Sequence, residues 1–263
     1  MNRYFPITNV LDAQSEADFD RLIASIAQNR SFDIHLIAEK RNDRTTELPA
    51  DTRNLVAGHI AEIFFYRRDL LDQFLSQPRG FFLYTTPQAY KDDGGVAGGC
   101  YNPQRDAIQL VMSRLYEGFN APTPGVAPFI HEFGHMLDHA SGNRGLIPGM
   151  SDPAVLDLFR RGKRLELERS EQLRQTGKAD LLPIGHPYVF QNNGEFIAGY
   201  LEMFFRNPNY FAAQNPDLFQ AFAQCLKQDP RRYWKADFPF YVQQNRDYYA
   251  RQRPPKHGLT LPK

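Results

Sequence analysis

The chain has 263 residues, of which 42% are hydrophobic and 13% aromatic, enough apolar surface to close a substantial core. Its 31 basic and 30 acidic side chains leave a formal charge of only +1, which excludes recruitment of nucleic acid or an anionic membrane by a global field. No stretch has the roughly 18 apolar residues of a membrane span, and Cys100 and Cys225 are too few for a disulfide framework. We therefore expect a cytoplasmic protein with no nucleic-acid or membrane partner.

The N-terminal half of the sequence predicts helices packed on a small sheet. Apolar residues at helical spacing predict a helix over residues 15–30 with its N-cap at Ser15, and one long or two short helices over 51–75. Alternating or continuous apolar runs predict three strands, at residues 32–38, 81–84 and 107–112.

A glycine-rich segment, residues 92–99, precedes the last predicted strand. It has neither a Walker lysine nor the GxGxxG register, so we expect a mobile rim or hairpin beside a site rather than a phosphate-binding loop. The strand at 108–112 would then form the rim of a cleft, where backbone pairing could hold an extended peptide.

After residue 112 the patterns indicate helices only. Apolar spacing, together with Pro and Gly boundary signals, predicts helices over residues 128–141, 152–175, 195–205 and 216–227. After Pro230 the chain is rich in Tyr, Arg, Gln and Pro, and we expect it to wrap over the core with a frayed end. These patterns together predict an α+β fold with a small mixed sheet and a mainly helical C-terminal half.

The segment His131-Glu132-Phe133-Gly134-His135 is an HExxH motif on one of these predicted helices. Four residues of α-helix advance about 400° and rise about 6 Å, so both imidazoles share one face and can reach one ion. Glu132 lies about 100° around the helix, beside the ion, where a general base is needed. The motif predicts that His131 and His135 bind zinc and that Glu132 is the base. The alternative is a pair of surface histidines on an ordinary helix.

A catalytic zinc takes three protein ligands and leaves a fourth position for water, so a third ligand is required. Asp138 and Ser141 stand where the HExxHxxGxxH pattern needs glycine and histidine, which excludes that class. Glu195, on the first turn of a later helix, is the better candidate, although an acid there also simply favours a helix N-terminus. Glu202, seven residues on, is a reserve ligand or a hydrogen-bond partner of a ligand.

Two residues that follow the motif have possible supporting roles. Asp138 could accept the free ring N–H of a ligand histidine and so fix its tautomer. His139 continues the spacing of His131 and His135, but a straight helix carries it about 12 Å from His131, too far to share the ion easily. We therefore expect His139 to be a surface residue or to support the ligands from outside.

These residues carry a resemblance to a known family. The chain resembles the Mlc titration factor A family of zinc peptidases over roughly residues 128–230, through His131 to Asp138, Glu195-Phe196, Ala198, Glu202, Phe204-Phe205, Pro208 and Asp229-Pro230. More distantly, His-Glu-Phe-Gly-His is similar to the catalytic domain of anthrax lethal factor, a gluzincin whose third ligand is a glutamate.

The resemblance implies one zinc per chain, held by His131, His135 and Glu195, with Glu132 as general base. It also implies an assisting tyrosine upstream of the third ligand. Tyr188 occupies that place, either as a donor to the oxyanion or as an ordinary core tyrosine.

We therefore expect a zinc metallopeptidase with a peptide or protein substrate. The alternative is a zinc-binding regulatory protein that binds a partner protein with little or no hydrolysis. For the architecture, we expect one zincin-like domain over residues 1–263. Its α/β lobe would cover about 1–125 and its helical zinc-binding lobe about 126–263, with the active site between them.

Overall fold

A computed structural model describes residues 5–38, 48–96, 98–118, 126–178, 181–234, 237, 239–251 and 258–260. These residues form four strands and ten α-helices, so the predicted α+β class is confirmed. The predicted glycine-rich rim includes Ala97, which lies outside the described residues, as does the boundary near 125 between the two expected lobes. In the part of the chain that the structure describes, no helix is long and apolar enough to cross a membrane.

The sheet is mixed and has the strand order β1-β2-β4-β3. The strands are β1 (Phe32–Ile37), β2 (Arg79–Tyr84), β3 (Gly99–Asn102) and β4 (Ala107–Val111). β2 pairs in parallel with both β1 and β4, whereas β3 pairs antiparallel with β4. The prediction that residues 108–112 form the rim of the cleft is therefore wrong. β4 is buried in the sheet because the end of the glycine-rich segment folds back as β3 and takes the edge position.

Four helices lie in the N-terminal half: α1 (Ala13–Gln28), α2 (Ala50–Phe64), α3 (Arg68–Leu75) and α4 (Pro87–Asp92). The predicted N-cap at Ser15 is wrong, because the carboxylate of Asp12 accepts the Ser15 N–H at 2.8 Å and the helix begins three residues earlier. Residues 51–75 form two helices rather than one, since the backbone leaves the helical conformation at Arg67.

The C-terminal half contains α5 (Pro128–Ala140), α6 (Pro153–Thr176), α7 (Asn193–Arg206), α8 (Pro208–Gln214), α9 (Pro216–Leu226) and α10 (Pro239–Arg251). Five of the six begin with proline, whose fixed φ suits the first helical position. The sequence patterns missed α8, which is short, and α10, which is polar. Near the chain end, the Leu259 N–H donates to the Phe190 carbonyl at 2.7 Å and its side chain packs on the core, as predicted for the tail.

α5 and α7 cross closely because small residues meet at the crossing point. A Cβ added to Gly134 would lie 2.7 Å from the Cα of Ala198, so only glycine fits there without a shift. Aromatic side chains close the core around this crossing: the ring of Phe133 lies 5.1 Å from that of Phe74 on α3 and 6.0 Å from that of Phe64 on α2. The contact between Gly134 and Ala198 sets how closely α5 and α7 approach, and the aromatic packing fixes α5 against α2 and α3.

Candidate metal centre

α5 presents the HExxH motif to a cleft. Its apolar residues, among them Phe129, Phe133 and Leu137, are fully buried, which turns the opposite face toward the open side. His131 and His135 lie one turn apart on that face, with their ring centroids 5.0 Å apart. The predicted helical context of the motif is therefore confirmed.

α7 brings Glu195 to the same place. The side chain of Asn192 accepts the Glu195 N–H at 2.9 Å and so caps the helix, which sets Glu195 on its first turn. One carboxylate oxygen of Glu195 lies 3.3 Å from His131 Nε2 and the other lies 3.6 Å from His135 Nε2. One ligand atom from each of these three residues lies within 4.8 Å of the other two, so the three side chains predicted as ligands do converge.

The donor set fits a metal ion of the zinc type. Two imidazoles and one carboxylate are a known catalytic zinc set. Bonds of 2.0–2.2 Å in tetrahedral geometry place neighbouring ligand atoms about 3.4 Å apart. Each histidine nitrogen lies at about this separation from a Glu195 oxygen, His131 at 3.3 Å from Oε2 and His135 at 3.6 Å from Oε1.

The electrostatics of the group favour a positive charge at its centre. Burial acts to lower the pKa of His131, but hydrogen bonds to Glu195 and Glu202 outweigh it and raise that pKa to about 10. For Glu195, burial acts to raise the pKa, but hydrogen bonds to His131 and His135 lower it to about 2. Carboxylates that stabilise a proton on an imidazole in this way also stabilise a metal cation between the same groups.

Glu132 stands beside this group and is held by the sheet edge. Its Oε2 accepts the backbone N–H of Tyr101 on β3 at 2.8 Å. Burial raises the pKa of Glu132, while the charges of His131 and His135 oppose that effect. Of the glycine-rich segment, Gly99 lines the cavity at this site, and the strand β3 that begins there supplies the backbone donor to Glu132.

Tyr101 also fixes the hairpin to α5. Its hydroxyl donates to Asp106 Oδ1 at 2.7 Å and contacts the ring of His139. His139 contacts the hairpin rather than the three candidate ligands, so its supporting role stays a prediction. Sequence reasoning missed Tyr101, because a backbone N–H leaves no trace in a pattern of residue types.

Glu202 and Tyr188 lie on the far side of His131 from Glu195. Glu202 Oε2 is 3.4 Å from His131 Nδ1, and the Tyr188 hydroxyl is also 3.4 Å from that nitrogen. Of the two roles considered for Glu202, its position matches the partner of a ligand histidine rather than a ligand. The role of Tyr188 as oxyanion donor stays a prediction.

Asp138 contacts the loop that follows α5. Its Oδ1 accepts the N–H of Gly145 at 2.6 Å and that of Leu146 at 3.1 Å. Its Oδ2 and His135 Nδ1 both lie close to Gly194, at 3.4 and 3.3 Å from the position that a Cβ would take there. The prediction that Asp138 fixes the tautomer of His135 stays a prediction.

A cavity of about 590 Å³ opens onto the group. Its walls are β3 on one side and the start of α7 on the other, and His131, Glu132, His135 and Glu195 all line it. This volume lies within the range of small-molecule and cofactor sites.

An HExxH helix crossed by a glutamate-bearing helix, at an open cavity beside a sheet edge, defines the metallopeptidase class. The family model described as glucose-regulated metallo-peptidase M90 matches residues 83–227, and the chain belongs to this family, which is that of Mlc titration factor A. The match begins in β2, well before residue 128, and the resemblance predicted from the motifs is confirmed. A search among curated proteins gave no match.

Proposed function

We propose that the protein is a zinc-dependent peptidase that hydrolyses peptide bonds, with one zinc held by His131, His135 and Glu195. The observation that carries the proposal is the position of Glu132: a carboxylate, held by the Tyr101 N–H, beside two imidazoles and a second carboxylate. A purely structural zinc site has no use for a base and normally takes a fourth side-chain ligand. This supports catalysis over the alternative of a regulatory zinc protein.

In the proposed reaction, zinc supplies Lewis acidity that activates water and polarises the substrate carbonyl. Glu132 takes the proton from the attacking water as the new C–O bond forms. It then passes that proton to the leaving nitrogen as the C–N bond breaks. The Tyr101 N–H orients one oxygen of Glu132 and leaves the other to carry the proton. We propose Tyr188 as donor to the oxyanion, which requires its hydroxyl to leave its position beside His131 Nδ1.

We further propose that residues 1–263 act as a single domain in the cytoplasm. The continuous core supports this, because Phe133 of α5 packs on Phe64 and Phe74 from the N-terminal half. The sparse use of cysteine supports a reducing compartment, since Cys100 and Cys225 are both free thiols.

The test of the function is hydrolysis of a peptide library by the zinc-loaded protein, by the same sample after chelation, and after zinc is added back. We expect cleavage that disappears with the chelator and returns with zinc. A zinc-loaded protein that cleaves none of the peptides would overturn the peptidase proposal and favour the regulatory alternative.

The ligand set has its own prediction. His135→Ala and Glu195→Ala should each weaken zinc binding by more than the roughly 10- to 100-fold that loss of an outer partner costs, because each removes a direct ligand. Elemental analysis and competition with a chelator measure this, and the wild type should retain about one zinc per chain. His35→Ala, at an exposed histidine on β1 that pairs with Asp33, is the control and should keep its zinc. A wild type that binds no zinc after equilibration with the ion contradicts the proposal.

The close crossing of α5 and α7 predicts a coupled loss of stability and metal affinity. Gly134→Ala should lower the free energy of unfolding by about 1–3 kcal/mol, because the new methyl group meets the Ala198 backbone and pushes α7 away. It should also weaken zinc binding, since Glu195 moves with α7. Chemical denaturation and zinc titration measure the two effects.

The control for that variant is Gly58→Ala on α2. A Cβ there would lie 2.2 Å from the ring of Phe5, so it also overpacks the core. We expect Gly58→Ala to destabilise the fold and leave the zinc affinity unchanged. If both variants changed zinc affinity equally, the crossing would have no specific role at the site.

A further inference from the structure

A second cavity, of about 340 Å³, adjoins the metal cavity. It is lined by Arg160, Lys163, Arg164 and Leu167 of α6, by Asn193 of α7, and by Leu259 and Thr260. Three of these residues are cations and none is a carboxylate. We call this the basic cavity.

The three cations share one face of α6, since they stand at i, i+3 and i+4. Among the described residues, no carboxylate lies within the 4.0 Å ion-pair distance of Arg160, Lys163 or Arg164. Arg161, next in sequence, points elsewhere and pairs with Asp157 and Asp217. Asp138 acts on the charge of Lys163 at longer range, whereas Arg160 and Arg164 form no ion pair among the described residues.

Lys163 is held in a defined position within this cavity. Its ammonium group donates to Asn193 Oδ1 at 2.6 Å and lies over the ring of Phe196, 4.8 Å from the centroid. Burial lowers the pKa of Lys163 to about 8, so its charged form is poorly solvated. An anion beside it would compensate for that lost solvation.

The basic cavity and the metal cavity share one lining residue, Asn193. It stands on the first turn of α7. Asn193 thus lies between the cations and the metal centre, since its Oδ1 accepts from Lys163 and Glu195 follows two residues later. A peptide bound at the metal centre can therefore reach the cations.

The walls also indicate the chemistry of the occupant. Leu167 and Leu259 offer apolar surface, while the guanidinium and ammonium groups offer charge-assisted hydrogen bonds. A group with a short aliphatic stem and a terminal carboxylate matches both features. Two parts of a peptide have this chemistry: an acidic side chain and the C-terminal residue with its free carboxylate.

We propose that the basic cavity is a substrate subsite that binds a carboxylate of the peptide away from the scissile bond. This inference rests on the proposed function, because the cavity is a substrate subsite only if the protein is a peptidase. Arg160 and Arg164 are the residues that determine specificity, and Lys163 forms the floor of the subsite.

The test measures equilibrium binding, so that it does not depend on hydrolysis. The probes are three pools of octapeptides, randomised over neutral residues and labelled with an uncharged boron-dipyrromethene dye that carries no carboxylate. The first has one glutamate and an amidated C-terminus, the second has glutamine in place of glutamate, and the third is the glutamine pool with a free C-terminus. Fluorescence anisotropy measures their affinity for zinc-loaded Glu132→Gln protein, which binds peptides but is expected to turn over very slowly.

We expect the first or the third pool to bind about five- to tenfold more tightly than the second, and the stronger of the two identifies the source of the carboxylate. In the Arg160→Gln/Arg164→Gln double variant this preference should fall below about twofold. Arg161→Gln, on the same helix but outside the cavity, should keep the preference. Equal binding of all three pools, no binding of the acidic pools, or a preference that survives the double variant would overturn the subsite.

Cleavage of the same pools by the wild type separates this inference from the proposed function. If the wild type cleaves the peptides but neither assay shows a preference for a carboxylate, the proposed peptidase function is supported and the proposed subsite is contradicted. If a binding preference depends on Arg160 and Arg164 but no peptide is cleaved, the carboxylate-binding cavity is supported and the peptidase function is contradicted.

Discussion

Glu132→Gln will lower kcat for peptide hydrolysis by about 10²- to 10⁴-fold, the range that a general base contributes, and leave about one zinc per chain. Glutamine has the same size and can still accept the Tyr101 N–H through its carbonyl oxygen, so the geometry of the site is kept. It cannot take a proton from water. The fall in kcat therefore comes from the proton-transfer step. KM should change little, because the contacts with the substrate are retained.

Steady-state kinetics on one cleaved peptide, with zinc content measured on the same samples, checks this result. Glu168→Gln, an exposed glutamate on α6, is the control and should match the wild type. Full activity in Glu132→Gln with zinc retained would show that another group is the base. Loss of zinc together with activity would show that Glu132 acts on the metal instead.

The HExxH half of this site could be predicted because it depends on local geometry alone. His131 and His135 share a helix face by their spacing, and the periodicity around them predicts the helix. The role of Glu195 as the third ligand was harder to predict, because 60 residues separate it from His135. Its distance from the histidines depends on how α7 crosses α5. Two indirect features of the sequence pointed to Glu195, namely the predicted helix start at that residue and the family motif around it. The crossing itself depends on Gly134 meeting Ala198, which no spacing rule shows.

The sheet edge shows why the rest could not be predicted. Apolar alternation identified the three strands that pair in parallel, but β3 is only four residues long and begins with glycine. Its strand conformation comes from pairing with β4, a tertiary effect that overrides weak local propensity. For the same reason the sequence misplaced the rim of the cleft at residues 108–112, and the Tyr101 donor was missed. Long-range contacts also create the basic cavity, since α6, α7 and Leu259 meet only in the fold.

Glu166→Ala will lower the free energy of unfolding by about 3–5 kcal/mol, the range for breaking a buried ion pair by removal of one partner. Glu166 is fully buried on α6. One of its oxygens accepts from Arg169 at 2.7 Å, and the other accepts from the Ile184 N–H at 2.9 Å and from the Tyr200 hydroxyl at 2.5 Å. Alanine would leave a buried guanidinium without its carboxylate and three further donors, on Ile184, Tyr200 and Asn215, without this acceptor.

The contacts of Glu166 tie α6 to α7 through Tyr200, and to the segment before Tyr188 through Ile184. Chemical denaturation of the metal-free proteins measures the cost without the stabilisation that bound zinc adds. Glu168→Ala is the matched control two residues away; its side chain is exposed, so the change should stay within about 0.5 kcal/mol. Equal stability of the two variants would mean that the helices hold α7 in place through apolar packing alone. A selective loss in Glu166→Ala would show that a carboxylate outside the metal centre holds the helix that carries Glu195.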